Sequence, residues 1–380
     1  MKKIAIRTLY KNNYGSSLQA YALISLIKKQ GFIPIIIEEK SNGLEKCVRK
    51  GFRGINFILT GLFHKDVFEQ YKKIKTANKT LPQKTLKLFN DFYVSNFKIE
   101  NMTYSQLKKI AKSDEYYAFV CGSDQIWGVS GPYISPINFL QFAPKYKRIT
   151  YAPSFGVSNI PKYRQKTIKR YLKDFNNISI REYEGARIIK ELTGKDAFVA
   201  LDPTLLMEKN FWLKVAEKNN INKPYILCYF LNEPSSKAIE YVKMVKNELQ
   251  FDVLFLPYSY SQLQDLGEQI EVSPFGFLDL INHAAFMLTD SFHGMAFAIN
   301  FNVPFFIFER QYGHNFNQSS RIFSLLKITK LQDRWIDENR VFNKDMLNMD
   351  FSEANYLLQI ERQKSYDYLM NSIKSIGAQK

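Results

Sequence analysis

AFMLTDSFHGMAFAINFNVPFFIF, residues 285–308, reads as a buried strand that hands over to a helix and then to a second strand. Residues 285–289 form a short apolar run, and 290–301 fit a helix whose first turn holds Ser291, His293 and Gly294. The first turn of a helix presents unpaired N–H groups and a positive dipole end. An anionic ligand can sit there beside a side chain able to move a proton. On position alone, a core histidine satisfied by one hydrogen bond is an equally good reading of His293. A matching junction near the start of the chain favours a site. Residues 3–8 read as a strand, followed by Asn12, Asn13, Tyr14, Gly15, Ser16 and Ser17, and then by a helix over 16–29 with Leu18, Tyr21, Ala22, Ile24 and Leu26 on its buried face.

Working outward from these junctions, strands and helices alternate as they do in parallel sheets covered on both faces. The first series of expected strands is 3–8, 32–38, 117–121, 148–153, 177–181 and 197–201; the second is 225–231, 252–257, 285–289 and 304–308. The fold class is therefore α/β. Between the series lie Pro203 and the run 219–224, which places a boundary near residue 210 and predicts two domains, 1–210 and 211–380. The first carries a basic insertion at about 40–90, and a last helix over about 352–376 closes the chain and is free to pack back on the first domain.

A chain of 380 residues with 46% apolar residues has enough material for two packed cores. No secretory signal is read at Met1-Lys-Lys, and no apolar run reaches spanning length. Cys47, Cys121 and Cys228 are odd in number and far apart, which fits reduced thiols in a cytoplasm. Four scattered histidines without an HExxH or paired-cysteine spacing argue against a dedicated metal site. The net charge of +17 is uneven: residues 40–90 hold 12 Lys or Arg against 3 Asp or Glu. Within them, 47–68 mixes Phe52, Ile55, Phe57, Leu62 and Phe63 with Arg49, Lys50, Arg53 and Lys65, a composition suited either to an anionic membrane surface or to a solvated helical insertion. No nucleic-acid-reading motif accompanies the charge, so nucleic acid is not an expected partner.

Parallel sheets put ligands at the carboxyl ends of their strands. That rule selects Ser123 and Asp124 after one strand and Arg181 at the end of another, where a guanidinium fork suits a carboxylate or phosphate. The plainer readings are a turn-stabilising role for Asp124, an ion pair of Arg181 with Glu182 or Glu184, and a turn or helix cap for Asp202. Arg321, behind Ser319 and Ser320, opens a further helix and also suits an anion.

The segments NNYGSSLQAYAL, VCGSDQIW, YAPSFG, ISIREYEG, ALDPTLL and TDSFHGMAFAINFNVPF, in this order and spacing, together resemble the polysaccharide pyruvyltransferase family. The resemblance covers most of residues 3–328 and leaves out the basic insertion and the last fifty or so residues. It implies a fold like that of the B-type glycosyltransferases, with two Rossmann-like domains facing across a cleft. It also implies transfer of the pyruvyl group of phosphoenolpyruvate onto sugar hydroxyls, with release of phosphate and formation of a cyclic ketal. No cofactor is implied beyond phosphoenolpyruvate as donor substrate. His293 is the candidate acid or base. Arg181, Ser291, Gly294 and Arg321 are the candidate donor contacts, and Asn12, Asn13, Ser16, Gln19, Ser123 and Asp124 the acceptor side of the cleft. Many relatives carry an arginine where this chain has Ser291; either Ser291 with the helix N-terminus and Arg321 supplies that contact, or the donor or its pose differs. The acceptor expected is a hexose such as galactose, bridged at its 4 and 6 hydroxyls, in a capsular polysaccharide or exopolysaccharide, or in its lipid-linked precursor. The enzyme would be cytoplasmic, or peripheral on the inner face of the bacterial membrane. A glycosyltransferase using a nucleotide sugar and a noncatalytic glycan-binding protein are the alternative readings.

Overall fold

A computed structural model describes residues 1–40, 81–129, 133–257, 261–310 and 319–378. The aromatic and basic segment 47–68 lies outside the described residues.

The first sheet contains β1 (Lys3–Arg7), β2 (Ile33–Glu39), β3 (Ile99–Met102), β4 (Tyr116–Cys121) and β5 (Arg148–Thr150), all parallel, in the order β3-β2-β1-β4-β5. Helix α1 (Tyr14–Lys29) crosses from β1 to β2. A short parallel pair, β6 (Ser179–Ile180) and β7 (Phe198–Val199), follows helix α2 (Lys162–Leu172). The second sheet contains β8 (Tyr225–Tyr229), β9 (Asp252–Phe255), β10 (Glu268–Gln269), β11 (Phe286–Thr289), β12 (Phe305–Phe308) and β13 (Trp335–Ile336), again all parallel, in the order β10-β9-β8-β11-β12-β13. Helix α3 (Phe292–Phe301) crosses from β11 to β12, and α4 (Ser320–Thr329) from β12 to β13. The chain ends in α5 (Ser352–Ala378).

Both orders are Rossmann-like. In each sheet the chain starts in the middle, winds one way, and returns to wind the other. The α/β class and the two Rossmann-like units thus follow from strand order alone. The edge strands β3, β10 and β13 are only two to four residues long, and they were not among the strands expected from the sequence.

The central strands read as unbroken apolar runs because helices cover both of their faces. Every residue of β8, β11 and β12 is buried. Helix α3 is buried at all ten positions, since it sits between the second sheet and the first half of the chain. Its ends are set by local chemistry. Ser291 caps the start by accepting from the Gly294 amide, and Asn302 ends it in the left-handed conformation at φ 59°.

Aromatic packing joins the halves. The Tyr14 ring on α1 stacks at 4.7 Å on Phe277 and lies 4.9 Å from Phe89, while its hydroxyl donates to the Val272 carbonyl at 3.0 Å. Helix α5 lies against the first half: Tyr368 stacks on Phe198 at 5.0 Å, and the Ser365 hydroxyl accepts from the Leu201 amide. No described helix is long and apolar enough to cross a membrane.

Candidate functional site

The strand order reverses between β1 and β4 in one sheet and between β8 and β11 in the other, and the loops leaving these strands meet. From the first sheet come the turn before α1 and the loop 122–124. From the second comes the start of α3.

The loop after β4 is unusual backbone. The Gly122–Ser123 peptide is cis, Gly122 has φ 113°, and a side chain there would run into the Tyr151 carbonyl. Asp124 follows at φ 67°. This bend turns both side chains inward. The Ser123 hydroxyl reaches Asp202 Oδ2 at 3.0 Å, and Asp124 Oδ2 accepts from the Ser16 hydroxyl at 2.6 Å.

Two arginines converge on these carboxylates. Arg181, which follows β6, places Nη2 2.7 Å from Asp202 Oδ2 and Nη1 3.4 Å from Asp124 Oδ1, and it also donates to the Ser123 hydroxyl. Arg321, on the first turn of α4, approaches the same Asp124 Oδ1 at 3.5 Å. The Phe292 ring lies beneath both guanidinium groups, 5.0 Å from Arg181 and 5.6 Å from Arg321. Arg181 therefore pairs with Asp124 and Asp202 rather than with Glu182 or Glu184.

His293 completes the group. Its Nε2 stands 3.6 Å from Asp202 Oδ2, just beyond hydrogen-bonding reach, and has no hydrogen-bond partner among the described residues although the residue is only 5% exposed. A core histidine would be satisfied. The ring packs on Gly15 so closely that a Cβ at that position would overlap the imidazole. Gly294 is required for a similar reason, because a Cβ there would press on Thr289, Met287 and Tyr229 beneath the helix.

The electrostatics separate three carboxylates. Burial alone would raise Asp202, but the Arg181 guanidinium, the neighbouring His293 and the hydrogen bonds from Thr204 outweigh it and hold its pKa well below the usual range. Asp124 follows the same pattern: burial opposes its ionisation, and His293, Arg181, Arg321 and the Ser16 hydroxyl overcome it. Glu182 goes the other way, as burial outweighs the nearby arginines and two hydrogen bonds and raises its pKa. Its Oε1 accepts from the Ser154 hydroxyl and the Phe155 amide, both at 3.0 Å, while Oε2 has no partner among the described residues. A raised carboxyl pKa means that ionisation costs stability, so the cost is absent at low pH and grows as pH rises through the folded-state pKa. Glu182→Gln should accordingly gain on wild type from about pH 4 upward, measured as Tm between acid and mildly alkaline pH. A gap that moves the opposite way would show that the carboxyl is not raised.

The structure thus brings together His293, Arg181, Arg321, Ser16, Ser123 and Asp124. Other candidates serve the frame. Asn13 caps α1 by accepting from the Ser16 amide at 3.0 Å, and Asn12 sits exposed at φ 53°, its amide donating to the Tyr93 hydroxyl. Gln19 is fully buried and its amide donates to Thr8 and to the carbonyls of Leu9 and Ser16, which fixes the loop from inside. The Ser291 hydroxyl is occupied in capping, and the amides of Ser291 and Gly294 donate to Thr289 Oγ1 and Ser291 Oγ. Of the helix-start amides proposed for the anion, only those of Phe292 and His293 precede the first intrahelical bond without such a partner in the cap.

Three contributors escaped the sequence reading. Asp202 does cap the short helix Pro203–Leu206 through the Thr204 amide, as its turn-or-cap reading has it, yet its other oxygen holds Arg181 and faces His293. Its place inside the segment ALDPTLL was the available signal. Gly15 and Phe292 gave none, because a close approach and a ring beneath two guanidiniums exist only in three dimensions.

No curated protein matches the chain. Solved structures similar to it include a UDP-N-acetylglucosamine 2-epimerase from Listeria monocytogenes, 10% identical, with 97% of this chain and 90% of that one covered at a TM-score of 0.49. They also include the S. aureus MnaA–UDP co-structure at 12% identity, 97% and 90% coverage and TM-score 0.48, and LpCGTa in complex with UDP at 9% identity, 98% and 100% coverage and TM-score 0.49. These scores fall short of 0.5, and the fold rests on the strand orders above. The family model for polysaccharide pyruvyl transferase matches residues 13–312, a span that holds His293, Arg181, Asp124 and Asp202, and the chain belongs to that family of transferases.

Proposed function

We propose that this chain transfers the pyruvyl group of phosphoenolpyruvate onto two hydroxyls of a sugar, releasing phosphate and leaving a cyclic ketal. The observation that carries this reading is the buried, unsatisfied Nε2 of His293 beside Asp202, with two arginines within the same cluster. The donor brings a carboxylate and a phosphate. Arg321, Arg181 and the amides of Phe292 and His293 are the groups suited to them. The methylene carbon takes up a proton, and the adjacent carbon becomes oxocarbenium-like and is attacked by a sugar oxygen, which loses its proton. The carbon–oxygen bond to phosphate breaks as the second hydroxyl closes the ring, and the proton of that hydroxyl leaves on the released phosphate. His293 moves a proton in this sequence, and Asp202 faces its Nε2 at 3.6 Å. Asp124, already accepting from Ser16, is placed to accept from an acceptor hydroxyl.

The arginine charges are matched by Asp124 and Asp202, so the cluster is close to neutral before the donor arrives. In this reading the reaction needs no metal and no resident cofactor. The acceptor is a hexose, with galactose and its 4 and 6 hydroxyls first, in a bacterial surface polysaccharide or its lipid-linked precursor on the cytoplasmic side, where the basic and aromatic composition of segment 47–68 suits an anionic membrane.

Phosphate release from phosphoenolpyruvate, measured with free and lipid-linked galactosides, glucosides and mannosaminides, tests the reading. Release that depends on one of these acceptors is expected. Silence across the panel from folded protein would sink it.

A further inference from the structure

Helix α2 carries a row of cations that no carboxylate among the described residues pairs with. Its sequence, KYRQKTIKRYL, has no acidic residue, and Lys173 continues it. Lys162, Lys166, Lys169, Arg170 and Lys173 are all exposed. Their spacing of four, three, one and three residues puts them along one side of the helix, opposite the buried Ile168 and Leu172. None of the five forms an ion pair among the described residues.

This pattern works against the helix that holds it. Like charges four residues apart repel, and 162 with 166, 166 with 170, and 169 with 173 are such pairs. Lys162 also stands in the first turn, where the helix dipole favours an acid. The acidic group at the end of the helix, Asp174, pairs instead with Lys145 at 2.7 Å and with Arg148 at 3.6 Å. Lys166, Thr167, Lys169, Arg170 and Lys173 flank a shallow, open hollow between their side chains. Tyr163 at one end of the helix and Tyr146, next to Lys145 at the other, are 38% and 37% exposed.

We propose that this face of α2 docks the protein on an anionic phospholipid surface, with a lipid phosphate in the hollow and the two tyrosines at headgroup level. A row of cations flanked by exposed tyrosines matches the charge and the polarity gradient of a bilayer surface. Docking here does not depend on which donor or acceptor the active site takes, and it is separate from segment 47–68.

The test uses the full chain and vesicles of phosphatidylcholine with about one-third phosphatidylglycerol, compared with phosphatidylcholine alone. The variant Lys166→Gln/Lys169→Gln/Arg170→Gln/Lys173→Gln is set against a charge-matched control, Lys98→Gln/Lys108→Gln/Lys109→Gln/Lys112→Gln, whose lysines are also exposed. Wild type and control should sediment with the anionic vesicles, and the α2 variant should bind at least about tenfold more weakly. Its Tm should be no lower than that of wild type, because the substitutions relieve repulsion, and its phosphate release with a soluble acceptor should be unchanged. Equal loss in both variants, or no loss in either, would overturn the proposal. So would α2-dependent binding of double-stranded RNA or inorganic phosphate in the absence of vesicle binding.

Discussion

His293→Ala is expected to lower acceptor-dependent phosphate release by about 10²–10⁴-fold, the range that a positioned acid or base contributes. The loss should fall on turnover rather than on folding. With the imidazole gone, Asp202 still holds Arg181 at 2.7 Å and the Ser123 hydroxyl at 3.0 Å, so no buried charge is stranded. The space left beside Gly15 is small and next to polar groups, so the variant should melt within a few degrees of wild type. A folded His293→Ala protein that keeps more than about a tenth of the wild-type rate would remove His293 from the proton-moving role.

Asp202→Ala should do the opposite damage. It removes the nearest carboxylate from the buried Arg181, leaving only Asp124 at 3.4 Å. Breaking one side of a buried ion pair costs about 3–5 kcal/mol. Loss of the cap on Pro203–Leu206 adds roughly 1 kcal/mol. A large fall in the urea midpoint at constant slope is the expected result, and a variant as stable as wild type would mean that Arg181 finds its counter-charge elsewhere.

Asp202→Asn isolates the charge from the shape, and its pH dependence has a definite sign. Because the folded pKa of Asp202 is depressed, ionised Asp202 contributes stability above its unfolded value of about 3.9 and loses that contribution as pH falls toward the folded value. Wild type should therefore exceed Asp202→Asn by a constant margin from neutral pH down to about pH 4, and the gap should close below that.

The central strands were legible because a parallel sheet covered on both faces demands uninterrupted apolar runs, and YILCY, FMLT and FFIF are such runs. The edge strands β3, β10 and β13 were not legible, as two to four residues carry too little pattern. His293 and Arg181 stood out for similar local reasons, one at a helix start after an apolar strand and one at a strand end. Gln19 and Asn13 show the limit of that logic. Small polar residues at a helix start look alike in sequence whether they meet a ligand or satisfy their own loop, and the hydrogen bonds to Thr8, Leu9 and Ser16 become visible only when the loop is folded.

By itself the sequence determined the alternation of strand and helix, the two strand-loop-helix junctions and the residues at the carboxyl ends of the central strands, because periodicity, capping and turn chemistry act over a few residues. Tertiary structure alone decided that Arg181 belongs to Asp202 and Asp124, that Arg321 reaches Asp124 from the other half of the chain, and that Gly15 makes room for the His293 ring. Those pairings join positions 21 to 278 residues apart, and what fixes the charged ones is the burial of charge, which forces each guanidinium to find a carboxylate wherever the two sheets bring one within reach.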